Sequence, residues 1–148
     1  MTLFLGTIQN KIDAKGRVSV PADFRSATKG DGFEGVVLYH SLVQKCIEGC
    51  TMARMEQMAS ATDNLDLFSE ESQNLSSLIF SDARQLSFDI TGRIVIPADL
   101  VKFAEIRGDA LFVGKGRTFQ IWAPVVFAKA QEAERARALE VRPSLSFK

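Results

Sequence analysis

The stretch Ile12-Asp13-Ala14-Lys15-Gly16-Arg17-Val18-Ser19-Val20-Pro21-Ala22-Asp23-Phe24 occurs twice in this chain. The second copy, 76 residues on, reads Phe88-Asp89-Ile90-Thr91-Gly92-Arg93-Ile94-Val95-Ile96-Pro97-Ala98-Asp99-Leu100. Six of the 13 positions are identical and five more exchange one apolar residue for another. At average amino-acid usage, chance supplies about one identity. The chain is therefore an internal duplication, and what this motif requires physically sets the fold.

Each part of the motif has a conformational reading. Val18 and Val20, like Ile94 and Ile96, alternate as in a half-buried strand. Pro21 and Pro97 end that strand and preset φ for a helix start. Asp23 and Asp99 fall in the first turn and complement the positive helix end. Asp13 and Asp89 can accept hydrogen bonds from backbone N–H groups two or three residues on, closing a turn. Gly16 and Gly92 supply a backbone angle that other residues avoid. The motif is a tight loop feeding a strand and then a sharp turn into a short helix.

Outward from the motif, both copies continue alike. A short amphipathic stretch spans 21–28 or 97–105, followed by Gly30-Asp31-Gly32 or Arg107-Gly108-Asp109. Two strands are then expected in each copy, over 35–39 and 45–48 in the first and over 110–113 and 118–122 in the second. Gly114-Lys115-Gly116-Arg117 makes a tight turn between the latter pair. Each repeat reads β–loop–β–short α–β–β. Between the repeats, Met52, Met55, Met58 and Ala59 recur at helical spacing over 51–61. Asn64-Leu65-Asp66 breaks that helix, and Ser69-Glu70-Glu71-Ser72 starts another that runs to about Phe80. Pro124 opens a C-terminal helix to Glu140, with a frayed tail over 141–148. The expected organisation is a first repeat over 1–50, a helical insertion over 51–80, a second repeat over 81–124, and a C-terminal helix and tail over 125–148.

The 148 residues carry 18 Lys plus Arg against 18 Asp plus Glu, with 46% hydrophobic and 24% charged residues. Such values exclude collagenous, disordered or supercharged classes. No apolar run approaches the roughly 18–20 residues of a membrane span. The Met-Thr-Leu-Phe-Leu start lacks a basic region and cleavage site, so a cytosolic protein without a membrane partner is expected. Net neutrality hides a distribution: residues 1–50 sum to +1, 51–85 to −4 and 86–148 to +3. Global charge gives no argument for nucleic acid, but a local one stays open.

Arg17 and Arg93 are the residues that packing leaves unexplained. They sit at the loop–strand junction, out of phase with the buried face, with Lys11, Lys15 and Thr91 beside them. One reading is a loop-holding ion pair with Asp13 or Asp89. The other is an arginine fork aimed at an external anion or base edge. A duplicated arginine on matched loops suits a pseudo-symmetric ligand such as duplex DNA.

Other chemistries have less support. Cys46 and Cys50 have only His40 near them in sequence, a weak case for zinc, and read better as small buried thiols. The lone His40 speaks against histidine-based catalysis, and no phosphate-loop, dinucleotide or nucleophile-elbow motif occurs. No catalytic residue, metal, cofactor or small-molecule substrate is expected. The methionine stripe reads as core or subunit contact, and Trp122 as a ring buried at the end of the last hairpin.

The Phe4-Leu5-Gly6 start and the two D-x-x-G-R-[VI]-x-[VI]-P-A-D copies resemble the MraZ family, within the wider AbrB-like (SpoVT-AbrB) group of swapped-hairpin β-barrel proteins. The resemblance covers nearly the whole chain, including the repeat separation and the helical insertion. It implies an α+β, mainly β fold: a duplicated swapped-hairpin β-barrel with a helical insertion and a C-terminal helix. It also implies a bacterial, cytoplasmic, nucleoid-associated transcriptional regulator that binds double-stranded DNA. The DNA would be repeated boxes upstream of its own gene, at the head of a division and cell-wall cluster. Ring-like homo-oligomers are a further implication. The family's DNA-contacting residues fall on Asp13, Arg17, Asp89 and Arg93. In the wider group a basic residue also follows the Pro-containing helix start. Arg25 fits that role in the first repeat, while the second has Val101 there with Lys102 next to it. A ring-forming interaction scaffold or antitoxin-like module is the alternative, in which the loops hold protein partners.

Overall fold

The alternating apolar residues of the two motifs turn inward as their period requires. Val18, Val20, Ile94 and Ile96 are each 1% exposed. A computed structural model describes residues 3–63 and 70–141 of the chain. The first repeat forms β1 (Thr7–Lys11), β2 (Arg17–Ser19), α1 (Ala22–Ala27), β3 (Gly35–His40) and β4 (Ile47–Cys50). Helices α2 (Met52–Asp63) and α3 (Glu70–Phe80) follow. The second repeat gives β5 (Arg84–Ser87), β6 (Arg93–Val95), α4 (Ala98–Phe103), β7 (Asp109–Gly114) and β8 (Phe119–Trp122), and α5 (Pro124–Val141) closes the described chain. The β–loop–β–α–β–β order is thus present twice. The expected breaker at 64–66, the cap at Ser69 and the tail beyond Val141 lie outside the described residues.

Several boundaries differ from expectation, and two kinds of shift have a local cause. The second strand of the first repeat runs over Ile47–Cys50 instead of 45–48. Ser41 explains the shift, because its hydroxyl accepts the Val43 and Gln44 N–H groups while its own N–H donates to the Cys46 carbonyl. Those bonds hold 41–46 as the hairpin loop. The prolines precede their helices as caps, with Pro21 at ψ 141° and Pro97 at ψ 142°, so each helix proper begins at the following alanine.

The strands form a six-stranded antiparallel sheet of order β1-β7-β8-β4-β3-β5 and a separate two-stranded ribbon, β2-β6. This is an α+β architecture, and the expected closed barrel is not formed. Three-residue strands are too short to carry a continuous ladder between the edges β1 and β5, and an isolated Ile12–Val18 bridge ties the ribbon to the chain leaving β1. The pairings cross between repeats. The first strand of each repeat pairs with the third strand of the other, β1 with β7 and β5 with β3. The equivalent strands β4 and β8 pair together, as do β2 and β6.

Both faces of the sheet are covered, which explains why β8 is buried at every position. The inner face packs Val36, Leu38, Ile47, Phe112 and Ile121 against Phe24 of α1 and Leu100 of α4. Phe4, Phe24 and Phe119 meet there with ring centroids 5.0–5.5 Å apart, each such ring contributing on the order of 1.5–3 kcal/mol through burial. On the outer face, Leu111, Val113 and Trp122 take Val126, Phe127 and Ala130 of α5. Val37 and Cys50 take Met52, Met55 and Met58 of α2. The methionine stripe is therefore a satellite core within the chain. No helix among the described residues is long and apolar enough to cross a membrane.

Candidate nucleic-acid interface

The two motif loops are built alike, atom by atom. Asp13 Oδ1 accepts the backbone N–H groups of Lys15 and Arg17, each at 2.9 Å. The bonds thus reach two and four residues on, wider than the two or three expected. Asp89 Oδ1 accepts Thr91 N–H and Arg93 N–H at 2.9 Å, and the Thr91 hydroxyl at 2.8 Å. The second carboxylate oxygen of each aspartate takes an arginine Nε, Arg17 at 2.6 Å and Arg93 at 2.9 Å. The loop-holding ion pair is therefore present in both copies. The arginine N–H groups that anchor each loop hold Asp13 below the usual carboxylate range, and Asp89 well below it.

The glycines close these loops. Gly16 has φ +88° and Gly92 has φ +81°, a region open to glycine at little cost. Each glycine also ties its loop to the other repeat. The Gly16 carbonyl accepts Ile96 N–H at 2.8 Å, and the Gly92 carbonyl accepts Val20 N–H at 3.1 Å. Each loop is thus hydrogen-bonded to the strand end of its counterpart.

The ribbon register brings the two arginines together. Arg17 lies opposite Val95 and Arg93 opposite Ser19, so the arginines are diagonal neighbours on one face, about 7–8 Å apart. Both side chains keep 43% exposure. Only Nε of each is bound, and NH1 and NH2 carry no protein hydrogen bond among the described residues. Lys11, Asp13, Arg17, Ser19 and Arg93 line one shallow cavity of about 360 Å³. Asn10 Nδ2 steadies its floor by donating to the Ser19 carbonyl at 2.7 Å.

The remaining candidates are placed less uniformly. Lys15 is exposed on the first loop, and Thr91 is engaged with Asp89. Arg25 does not reach the ribbon face: its NH1 donates to the Val20 carbonyl at 2.7 Å, and its guanidinium lies where a Cβ on Gly92 would be. It props the second loop from beneath. At the matching place Val101 packs on the core, and Lys102 is exposed in the last turn of α4, outside the cavity. Sequence reasoning missed Ser19 and Val95, which share the arginine face; Val95 is 54% exposed. Strand alternation two residues on from each arginine carried that signal.

His40 joins neither cysteine. Its Nδ1 contacts Asp82 Oδ2 at 2.8 Å and its ring meets Phe103 edge-on at 4.7 Å. Cys46 and Cys50 are buried, and burial pushes both thiols up to about 12, so they are inert as thiolates. Among the described residues no three His, Cys, Asp or Glu side chains converge as metal ligands.

The chain matches the family model described as "MraZ protein, putative antitoxin-like" twice, over residues 3–77 and 79–142. Relatives named "Transcriptional regulator MraZ" align along nearly the full length. The protein of Pelagibacter ubique (strain HTCC1062) is 43% identical over 145 residues, covering 98% of this chain and 94% of its own. That of Gluconobacter oxydans (strain 621H) is 43% identical, covering 93% and 86%. That of Rickettsia peacockii (strain Rustic) is 42% identical, covering 98% and 97%.

Proposed function

Because the chain belongs to the MraZ family, whose matched relatives are named transcriptional regulators, we propose that it is a sequence-specific DNA-binding regulator reading duplex DNA through Asp13–Arg17 and Asp89–Arg93. The observation that carries this reading is the pair of carboxylate-anchored arginines on one exposed ribbon face. An arginine that serves only to attract phosphate gains nothing from an aspartate held ionised beside it. A guanidinium fixed through Nε keeps two terminal nitrogens free for the O6 and N7 acceptors of guanine. The adjacent carboxylate can accept from a cytosine amine. Fixing the side chain beforehand also removes part of the entropy cost of binding.

The reading extends to the target and the assembly. The DNA is the repeated promoter boxes of the protein's own division and cell-wall cluster, bound in the cytoplasm at the nucleoid. The strand exchange between repeats is the swapped-hairpin arrangement of the AbrB-like group. A ring-like homo-oligomer multiplies weak ribbon contacts, so that a neutral subunit still binds tightly. Lys11 and Lys15 meet phosphate beside the loops, while Arg25 acts by supporting the second loop. No cofactor, metal, substrate or catalytic step belongs to this proposal.

The test is binding to the DNA upstream of the gene across a salt series, for wild type, Arg17→Ala, Arg93→Ala and the double variant, each checked for fold and oligomer size. Each single change is expected to cost about 1–3 kcal/mol on the specific site, with smaller loss on random competitor. If all four proteins bind alike, or none discriminates, the arginines only brace their loops. The scaffold or antitoxin-like reading then takes over.

A further inference from the structure

The two halves of the ribbon face share their arginines and differ in what surrounds them. The first copy holds Ala14, Lys15 and Ser19 where the second holds Ile90, Thr91 and Val95. Ile90 is fully exposed at the loop tip, and Val95 is half-exposed on the strand. Thr91 spends its hydroxyl on Asp89 Oδ1, whereas Lys15 and Ser19 are exposed. The first half therefore presents an ammonium and a hydroxyl, and the second presents branched apolar side chains.

The fold does not demand those side chains. Ala14 and Ser19 occupy the same places in the first copy, and the aspartate-anchored loop and the ribbon strand form there equally. The core takes Ile94 and Ile96 from the opposite face of the strand and leaves Val95 out. Register puts Val95 directly across from Arg17 and two residues beyond Arg93. Its methyl groups thus stand between two guanidinium groups, with Cβ atoms about 5 Å from one and about 7 Å from the other. Single apolar residues on a surface are ordinary. Two on one half of a face that also carries forked donors, where the other half keeps small or polar residues, fit a partner that is apolar at that place. In the major groove of a duplex the apolar group on offer is the 5-methyl of thymine.

We propose that Ile90 and Val95 make the second half of the face a reader of thymine, touching 5-methyl groups within about two base pairs of the guanine that Arg93 reads. The inference rests on the DNA-binding reading above. The first half, with Lys15 and Ser19, keeps to guanine and phosphate. The two halves then recognise unequal half-sites, and a chain with pseudo-symmetric loops binds its site in one orientation.

The test replaces each thymine of the upstream DNA in turn by uracil, which removes the 5-methyl and keeps every base-pair hydrogen bond. The full wild-type chain is compared with Val95→Ser and Ile90→Ala, each of which installs the residue of the other copy. Val125→Ser, at an exposed valine that opens α5, is the control, and Arg93→Ala reports base reading itself. Thermal melting and oligomer size check each protein. Val95→Thr keeps the branched shape and decides the matter if Val95→Ser melts early. Wild type is expected to lose affinity about fourfold at one or two uracil positions, the worth of one buried methyl group. Val95→Ser or Ile90→Ala should weaken binding to thymine DNA by a similar factor and abolish the loss at its own position, while Val125→Ser retains it. Uracil DNA bound as tightly as thymine DNA at every position overturns the inference. So do variants whose losses simply add to that of uracil, since groups in contact are not additive. In both of those cases, discrimination that Arg93→Ala removes leaves the DNA-binding reading standing. A wild type that does not discriminate the upstream DNA from random competitor overturns both.

Discussion

Gly16 and Gly92 occupy equivalent places and the same backbone region, yet their surroundings differ. A Cβ on Gly16 would collide with the backbone carbonyl oxygen of Ile96, the residue whose N–H donates to the Gly16 carbonyl. On Gly92 the nearest atoms a Cβ would meet belong to the Arg25 guanidinium, the far end of a flexible side chain. Gly16→Ala is therefore expected to destabilise by about 2–4 kcal/mol, from left-handed strain plus displaced backbone. Gly92→Ala should cost about 1–2 kcal/mol, from strain plus the lost Arg25–Val20 bond. Urea titration of both variants checks the order; equal costs would mean that the clash at Gly16 relaxes freely. This loop was almost wholly legible in the sequence, since Asp13, Gly16 and Arg17 act on one another within five residues. Their fixed spacing encodes the geometry. The contacts of Arg25 were not legible, because its partners, Val20 and the second loop, are set by how the repeats meet, which no local spacing records.

The element scale shows a knot that only tertiary pairing creates. Arg84 of β5 grips Asp99 of α4 through two 2.7 Å bonds and reaches Asp82 at 3.2 Å. Asp82 in turn accepts the His40 backbone N–H at 2.7 Å. Asp99 was legible only as a helix-end charge, because β5 comes to lie beside β3 and α4 through long-range pairing. The Arg84 bonds draw the Asp99 carboxyl down to about 2. Since this folded value lies below the unfolded one, the contribution is complete above about pH 4 and is lost as pH falls towards 2. Asp99→Asn should therefore flatten part of the acid limb of stability between pH 4 and 2, measured as urea midpoints. An unchanged limb would mean that solvent screens the pair, which is half exposed at Asp99. A second tie, Asp31 capping α2 from the first repeat, joins the insertion to the sheet. Asp31→Ala is expected to cost about 0.5–2 kcal/mol, with hydrogen exchange rising first along α2; uniform change across the sheet would count against a local cap.

For the whole molecule, the interleaving of repeats decides how it unfolds. The sequence displays two copies and invites the picture of two lobes. The structure gives each repeat's first strand to the other repeat's third, and joins the copies again at β4–β8 and β2–β6. The aromatic cluster repeats that mixture, with Phe4 and Phe24 of the first copy packed on Phe112 and Phe119 of the second. Neither copy retains a complete sheet or core without the other, so damage to one must propagate. Leu100 is fully buried in the second copy at the place matching Phe24, and Leu100→Ala should cost about 2–5 kcal/mol. If the repeats are one cooperative unit, native-state exchange will show amides of β1 and β3 losing the same protection as those of β5 and β7. Protection lost only from β5–β8 would mean separable lobes despite their shared ladders. The same coupling bears on the interface. Each loop glycine accepts its bond from the opposite repeat, so a lesion near Leu100 should loosen the Arg17 loop as well as the Arg93 loop, measured as faster exchange at both arginine amides.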